Sequence, residues 1–378
     1  MQVHLSRPDI TEKEIAAVNE VIRSPNLALG PKMLEFERAV AKYVDRKYAI
    51  AVNSGTSGLH LLIRAFGIGE NDEVITTPFS FIASSNCILY ERARPVFVDV
   101  EPETGNIDPN LIEAAITPRT KAILPVDAFG QPARLDEIRA IARRHGLVVI
   151  EDACEALGSE YKGIKCGNGA WAGAAVFAFY PNKQITTGEG GMIVTDDERI
   201  AALCRSMRNQ GRGESGLWLH HERLGYNYRM DELSAALGVA QMQRIEEIIA
   251  KRARVAAMYN EHLARIPGVK LPYIAPEVTR MSWFVYVIRV GFDEPTPETQ
   301  EALRDRVMQR LQAAGIGCRP YFTPIHLQPF YRKEFGYRGG EYPVTELLGR
   351  TSIAIPFHNN LTREEVEYVA EVLAGAVG

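Results

Sequence analysis

The chain has 378 residues, 46% hydrophobic and 24% charged, with a formal net charge of −4. It is long enough to fold around a large core of its own, is too apolar for a disordered chain, and offers no electrostatic case for nucleic acid or an anionic membrane. Five scattered cysteines without CxxC spacing and eight histidines without HExxH predict neither a disulfide framework nor a bound metal. No apolar run approaches the ~20 residues of a membrane span, and Met1–Asp9 lacks the apolar stretch of a signal peptide, so a cytoplasmic protein is expected.

Thr11 and Glu14 form a capping-box pair, and Ile15, Val18 and Ile22 recur on one face, which predicts a helix over 11–23. Gly30-Pro31 opens a second amphipathic helix with Leu34, Phe36, Val40 and Tyr43. Strands at 48–52, 73–77, 95–100, 121–126 and 147–151 then alternate with helices at 59–66, 80–90, 111–116 and 135–145. Two further strands, 174–179 and 191–195, enclose a glycine-rich loop. The expected fold class is α/β: a large domain, residues 1–245, with a mostly parallel seven-stranded sheet between helices. A long helical stretch, 231–263, leads into a smaller α+β domain, residues 246–378. That domain has a strand at 284–290, helices at 298–314 and 362–374, and a proline- and aromatic-rich segment at 320–337. Met281-Ser282-Trp283-Phe284 reads either as the lining of an entrance or as the start of a core strand.

Four segments carry chemistry. Asn53-Ser54-Gly55-Thr56-Ser57-Gly58 joins a strand to a helix, where unpaired N–H groups and hydroxyls form an anion cup, or simply a capped turn. It is neither GxGxxG nor a Walker loop. Asp152 follows Val148-Val149-Ile150-Glu151 at the carboxyl end of a strand, where open α/β sheets bind ligands. It serves either a cationic partner such as a protonated pyridine nitrogen or the cap of the next helix. Lys183 ends Phe179-Tyr180-Pro181-Asn182-Lys183. A lysine among apolar neighbours has a lowered pKa and can form a Schiff base, although most lysines are solvated surface charges. Leu224-Gly225-Tyr226-Asn227-Tyr228-Arg229-Met230 is rich in binding groups, or is a packed connector. Taken in order, the anion cup, the carboxylate and the lysine describe a pyridoxal 5′-phosphate site.

With Gly30-Pro31-Lys32, Ile107-Asp108-Pro109, Phe129-Gly130-Gln131-Pro132, Thr186-Thr187-Gly188-Glu189-Gly190-Gly191 and His326-Leu327-Gln328-Pro329, these strings resemble the DegT-type nucleotide-sugar aminotransferases along essentially the whole chain. The resemblance implies the fold type I architecture of aspartate aminotransferase. It also implies pyridoxal-phosphate-dependent transfer of an amino group from L-glutamate (or glutamine) to a nucleotide-linked keto sugar, 4-keto rather than 3-keto. The enzyme would be a homodimer with sites at its interface. Lys183 would form the Schiff base and act as acid and base, and Asp152 would pair with the pyridinium nitrogen. Ser54, Gly55, Thr56 and Ser57 would hold the phosphate, Phe81 would stack on the ring, and Asn227 would reach the neighbouring subunit's phosphate. Arg229, Tyr321 and His326 would meet the amino donor or the sugar nucleotide.

Three positions depart from the family pattern. Ala178 stands where a phosphate-binding Ser is frequent, and Asn182 where Thr is usual. Glu155 replaces a Gln or His near the cofactor O3′, where a carboxylate repels the oxygen unless it is protonated or turned away. A sugar dehydratase of the same fold would carry His in place of Lys183, and a non-catalytic sensor would have no reason to keep Lys183 and Asp152. The sugar itself is expected to be chosen by loops such as 211–222 and 322–338.

Overall fold

A computed structural model describes residues 1–213 and 220–378. Seven strands form one sheet in the order 48–52, 191–195, 174–178, 148–152, 120–123, 73–76 and 94–97. All neighbours are parallel except Gly191–Thr195, which runs antiparallel to the strands on both sides of it. Asp152 pairs with Val176, and Gly191 pairs with both Val52 and Ala178. One edge of the sheet therefore collects three strand ends and one strand start. The expected α/β architecture is present, with every strand of the large sheet where the sequence predicts it.

The sheet is apolar on both faces because helices cover both. Phe177, Met192 and Val194 pack in one cluster with Phe36, Val40 and Ile248, while Val176 and Ile193 join Leu61, Leu62 and Ile88 in another. Successive residues alternate between the two cores, as the two-residue period of a strand requires.

The N-terminal helices correct the sequence reading. Thr11 does cap the helix Glu12–Ile22, its N–H donating to Glu14 Oε2 at 2.7 Å. However, the helix buries Glu14 and Val21, and Ile15 and Ile22 face outward, joined on the surface by Leu34. Glu14 is drawn inward because Gln241 and Arg244 donate to its Oε1 at 2.9 and 2.8 Å. The helix Pro31–Tyr43 has no cap of its own. Glu232, two hundred residues away and fully buried, accepts from the N–H groups of Lys32 (2.7 Å) and Met33 (3.0 Å). A Cβ on Gly30 would lie 2.6 Å from Glu232 Oε2, so the Gly30-Pro31 start makes room for this cap. The stretch predicted as one long helix is two, Glu232–Met242 and Ile245–Leu263. The chain turns at Arg244, which reaches Glu14 and Asp9. The helix Glu198–Arg208 was not foreseen.

Beyond residue 245 a four-stranded sheet, 269–270, 286–290, 352–355 and 319–320, packs Tyr286, Ile288 and Ile353 against Tyr259, Val307 and Leu373 of three helices. Val3 bridges to Ile316, so the amino terminus also lies on this part. Among the described residues, no helix is long and apolar enough to cross a membrane.

Glu232→Ala strands the buried N–H of Met33 and the half-buried N–H of Lys32, and a buried unsatisfied group costs about 1–3 kcal/mol. Urea unfolding is expected to show a loss of about 2 kcal/mol or more, whereas Glu371→Ala, at an exposed position of the last helix, changes stability by less than about 0.5 kcal/mol.

Candidate active site

The cleft lies at the collected strand ends and has a volume of about 500 Å³. Its first wall is the start of the helix Gly55–Ala65. Ser54 caps that helix, accepting from Ser57 N at 3.1 Å. Ser57 Oγ donates to Asn53 Oδ1 at 2.7 Å, and the first intrahelical bond runs from Gly58 N to Ser54 O. The N–H groups of Gly55 and Thr56 thus stand ahead of the hydrogen-bond ladder, at the positive end of the helix, where an anion is favoured. Ser54, Gly55 and Thr56 line the cleft. Ser57 is instead buried and committed to the cap. A Cβ on Gly191 would lie 2.6 Å from the Ser54 carbonyl carbon, so only glycine lets the antiparallel strand close against the cup.

Asp152, the last residue of its strand, is 4% exposed. Ser84 Oγ donates to its Oδ2 at 2.7 Å and Cys154 N to its Oδ1 at 3.2 Å. Ser84, on the helix Ala83–Tyr90, was not singled out in the sequence; only the Ser80–Ser85 run hinted at it.

Lys183 follows the strand 174–178 in the short return to Gly191. Its surroundings are not purely apolar, as the sequence had suggested. Nζ lies 3.4 Å from Glu155 Oε1 and 3.7 Å from the centre of the Phe284 ring. Glu155 is buried, its Oε2 accepts from Phe129 N at 2.9 Å, and burial raises its pKa above the usual carboxylate value despite the nearby lysine. Phe284 comes from the second part of the chain, and no local signal linked it to Lys183. Of the two readings of 281–284, Phe284 is buried beside the lysine just ahead of the strand Tyr286–Val290. The Thr186-Thr187-Gly188 string is a turn: Gly188 has φ +81°, and its N–H donates to Thr186 Oγ1 at 3.0 Å.

The other expected residues divide. Phe81, 63% exposed, Tyr321 and Ala178 line the cleft with Asp152, Glu155 and Lys183. Asn227 is exposed outside it, with Asn53 Nδ2 donating to its carbonyl at 3.4 Å. Arg229 is also outside and donates to Asn209 Oδ1 at 3.0 Å. His326 is 0% exposed, lies away from the cleft, and contacts Glu346 Oε1 at 3.1 Å and the edges of Tyr337 and Tyr342. It packs in an aromatic cluster, and its Nδ1 is buried without a hydrogen-bond partner among the described residues. Of the loop 211–222, residues 214–219 lie outside the described residues.

A family model of the DegT/DnrJ/EryC1/StrS aminotransferases matches residues 8–374. The chain belongs to this family. It is 42% identical to the GDP-perosamine synthase of Caulobacter vibrioides over 347 residues, 92% of this chain and 90% of that protein. Its structure matches PseC of Helicobacter pylori, an aminotransferase involved in the biosynthesis of pseudoaminic acid, with a TM-score of 0.93 at 29% identity, covering 100% of this chain and 99% of the other. A sugar aminotransferase of Streptococcus pneumoniae in its PLP form matches with a TM-score of 0.92 at 28% identity, covering 100% and 99%. The protein is a pyridoxal-phosphate-dependent aminotransferase with the fold type I architecture. The residues present fit the cofactor. The cleft has an anion-binding helix start, a carboxylate anchored by two donors, a lysine, and an exposed Phe81 ring on one wall.

Behind Asp152, two more carboxyls are fully buried. Asp127 N donates to the Asp152 carbonyl, and Asp127 Oδ1 accepts from Ala133 N. Glu151 Oε1 accepts from Gly167 N. One oxygen of each and Cys166 Sγ lie within 4.8 Å of one another. Burial and the neighbouring Glu151 hold the Asp127 carboxyl far above its usual range, and burial raises Glu151 too. The native pair therefore keeps a proton that unfolded carboxylates lose near pH ~4. A raised native pKa makes stability fall as pH rises from the unfolded value through the native one. Asp127→Asn supplies the hydrogen permanently, so its thermal midpoint is expected to fall less between pH 5 and pH 8 than that of the wild type. Equal falls in both proteins would refute the shared proton.

Proposed function

We propose that this enzyme transfers the amino group of L-glutamate (or glutamine) to a nucleotide-linked keto sugar, at C4 ahead of C3, within amino-sugar or polysaccharide synthesis. The observation that carries the reading is the single cleft shared by Lys183, Asp152 and the start of the helix Gly55–Ala65. The GDP-perosamine synthase relative supports a nucleotide-sugar substrate. Lysine rather than histidine at position 183 favours amino transfer over dehydration.

Bound in the cleft, the cofactor supplies an aldehyde that exchanges its oxygen for an amine and a protonated ring that withdraws electrons from the substrate carbon. Lys183 would take the proton from that carbon and deliver it on the far side of the nitrogen, at the former aldehyde carbon, so that the substrate's C–N bond becomes the one that water can cleave. Asp152, fixed by Ser84 and Cys154 N–H, holds the ring nitrogen protonated. The N–H groups of Gly55 and Thr56, with the Thr56 hydroxyl, bind the phosphate. Ser54 and Ser57 shape that cup, and Phe81 covers one face of the ring. Tyr321 lies on the substrate side.

The same reading makes the enzyme a cytoplasmic homodimer. Ile15, Ile22, Leu27, Leu29 and Leu34 are exposed large apolar residues of the N-terminal region, a surface suited to a second copy. Asn227, exposed outside its own cleft, then serves the phosphate of the partner, and Arg229 backs it from the same loop. Residues 1–245 form the cofactor-binding domain, and 246–378 form the domain that closes over the sugar.

The test is spectroscopic. Holoenzyme is expected to show a visible absorbance band that L-glutamate bleaches and a nucleotide-linked 4-keto sugar restores; a panel containing 3-keto sugars and other carriers identifies the acceptor. Lys183→Ala is expected to abolish the Lys183-linked band and lower turnover by about 10²–10⁴-fold. Failure of every amino acid to bleach the wild-type band would overturn the proposed function.

A further inference from the structure

We infer that Glu155 is the proton partner of Lys183, and that Glu155 and the Phe284 ring together form the seat to which the lysine amine returns whenever it is free. The inference rests on the role proposed above for Lys183. The geometry supporting it is separate. Glu155 Oε2 is fixed by Phe129 N at 2.9 Å, leaving Oε1 as the oxygen 3.4 Å from Lys183 Nζ. The ring of Phe284 lies under the same nitrogen, 3.7 Å from its centre, where an aromatic face attracts an ammonium.

The seat is built from several directions. Gln184, next to Lys183 in the chain, donates from Nε2 to the Glu155 carbonyl at 2.6 Å and to Ser282 Oγ at 2.9 Å. Phe284 N donates to the Phe129 carbonyl at 3.3 Å. Arg252 donates to the carbonyls of Trp283 and Phe284 at 2.6 and 2.7 Å. Phe129 therefore serves both sides of the seat, its N–H to the acid and its carbonyl to the ring segment. It does so with φ +61°, a left-handed backbone that is unfavourable for a non-glycine residue. Nothing in the turn's own sequence calls for that conformation; the double contact does.

The step is a proton transfer alone. An N–H bond of the ammonium breaks and an O–H bond forms on Oε1, giving a neutral amine beside a neutral acid, and the reverse step restores the ion pair. No electrons move and no other reactant is needed. Glu155 is buried and Lys183 largely so, with side chains 7% and 13% exposed, so the neutral pair avoids much of the desolvation cost that the ion pair carries. Three other titratable groups face this space. Cys154 and Tyr321 are held protonated by burial, and the Asp152 charge pushes the Glu155 carboxyl further up. A glutamine at position 155 could satisfy Phe129 N but could not take the proton.

The experiment is a pH titration of the free Lys183 amine, followed by 15N NMR of lysine-labelled enzyme in the form that L-glutamate has bleached, in wild type, Glu155→Gln, Glu155→Asp and Phe284→Leu, with kcat and KM measured alongside. Loss of the carboxylate beside the nitrogen is expected to lower the midpoint by at least about one pH unit in Glu155→Gln, since an opposite charge at this range shifts a pKa by about 1–3 units. Glu155→Asp, with its shorter reach, falls between Glu155→Gln and wild type. Phe284→Leu keeps the acid and lowers the midpoint by less than Glu155→Gln. In Glu155→Gln, kcat is expected to drop by about 10²-fold or more while KM for the sugar changes less than threefold. If Glu155→Gln does not load cofactor, the Glu155→Asp and Phe284→Leu midpoints decide. A Lys183-dependent band in the unbleached proteins, with the same midpoint for the free amine in all loaded variants, overturns this inference alone. A band that persists in Lys183→Ala overturns the role of the lysine itself.

Discussion

One antiparallel strand governs the site. In a parallel sheet, the chain leaving a strand must cross over through a helix before pairing again. Gly191–Thr195 runs against its neighbours, so the chain leaving Ala178 returns at once, and the residues 179–190 stay at the edge of the sheet. Lys183 is carried in that return. The pairing of Gly191 with both Val52 and Ala178, and of Asp152 with Val176, sets the lysine, the carboxylate and the helix cup at one level. The cleft follows from register before any side chain is considered.

The cost of that arrangement is charge without water. Asp152, Glu155, Asp127 and Glu151 are all buried near one another, and four carboxylates in so small a volume would repel strongly. Each is handled differently. Asp152 is anchored by two donors, Glu155 faces a lysine, and burial pushes Asp127 and Glu151 towards their protonated forms. Elsewhere, buried charges fasten distant segments together. Glu232 caps a helix across two hundred residues, and Arg208 reaches both Glu37 and the Ala51 carbonyl of the first strand. A buried charge of this kind adds little net stability, but removing one partner is expensive, which ties the tertiary arrangement to particular residues.

The sequence made the framework legible because strands buried on both faces are written as apolar runs between turn signals. All seven strands, the cup, Asp152 and Lys183 could be read this way. What escaped depends on contacts remote in the chain. Ile15, Val18 and Ile22 have helical spacing, yet the buried side is set by Glu14, whose partners Gln241 and Arg244 no local pattern announces. The turn at Arg244 is hidden because residues on both sides of it favour helix. Ser57 looked like a phosphate ligand since hydroxyls suit both anions and caps, and the side chain of Asn53 decides for the cap. His326 packs among Tyr337 and Tyr342, contacts that its own string does not announce. Phe284 and Ser84 touch the active groups only through tertiary structure.

The segment Ser282–Phe284 shows why the two halves of the chain act on one site. From the side of the large sheet it is held by Ser159 Oγ, which receives Ser282 N at 2.9 Å, by Gln184 and by the Phe129 carbonyl. From the other side it is held by Arg252 on the helix Ile245–Leu263, which also binds Asn359. Among the described residues no carboxylate is in direct contact with the buried Arg252, and burial lowers its pKa to about 10; three of its bonds go to two backbone carbonyls and an amide. A guanidinium spends its donors on carbonyls in this way where a fixed fork is needed to hold backbone in place. The environment of the lysine nitrogen is therefore not a property of the large sheet alone. One wall belongs to each half, and a change in how the halves meet alters the ring beneath the nitrogen before it alters the carboxylate beside it.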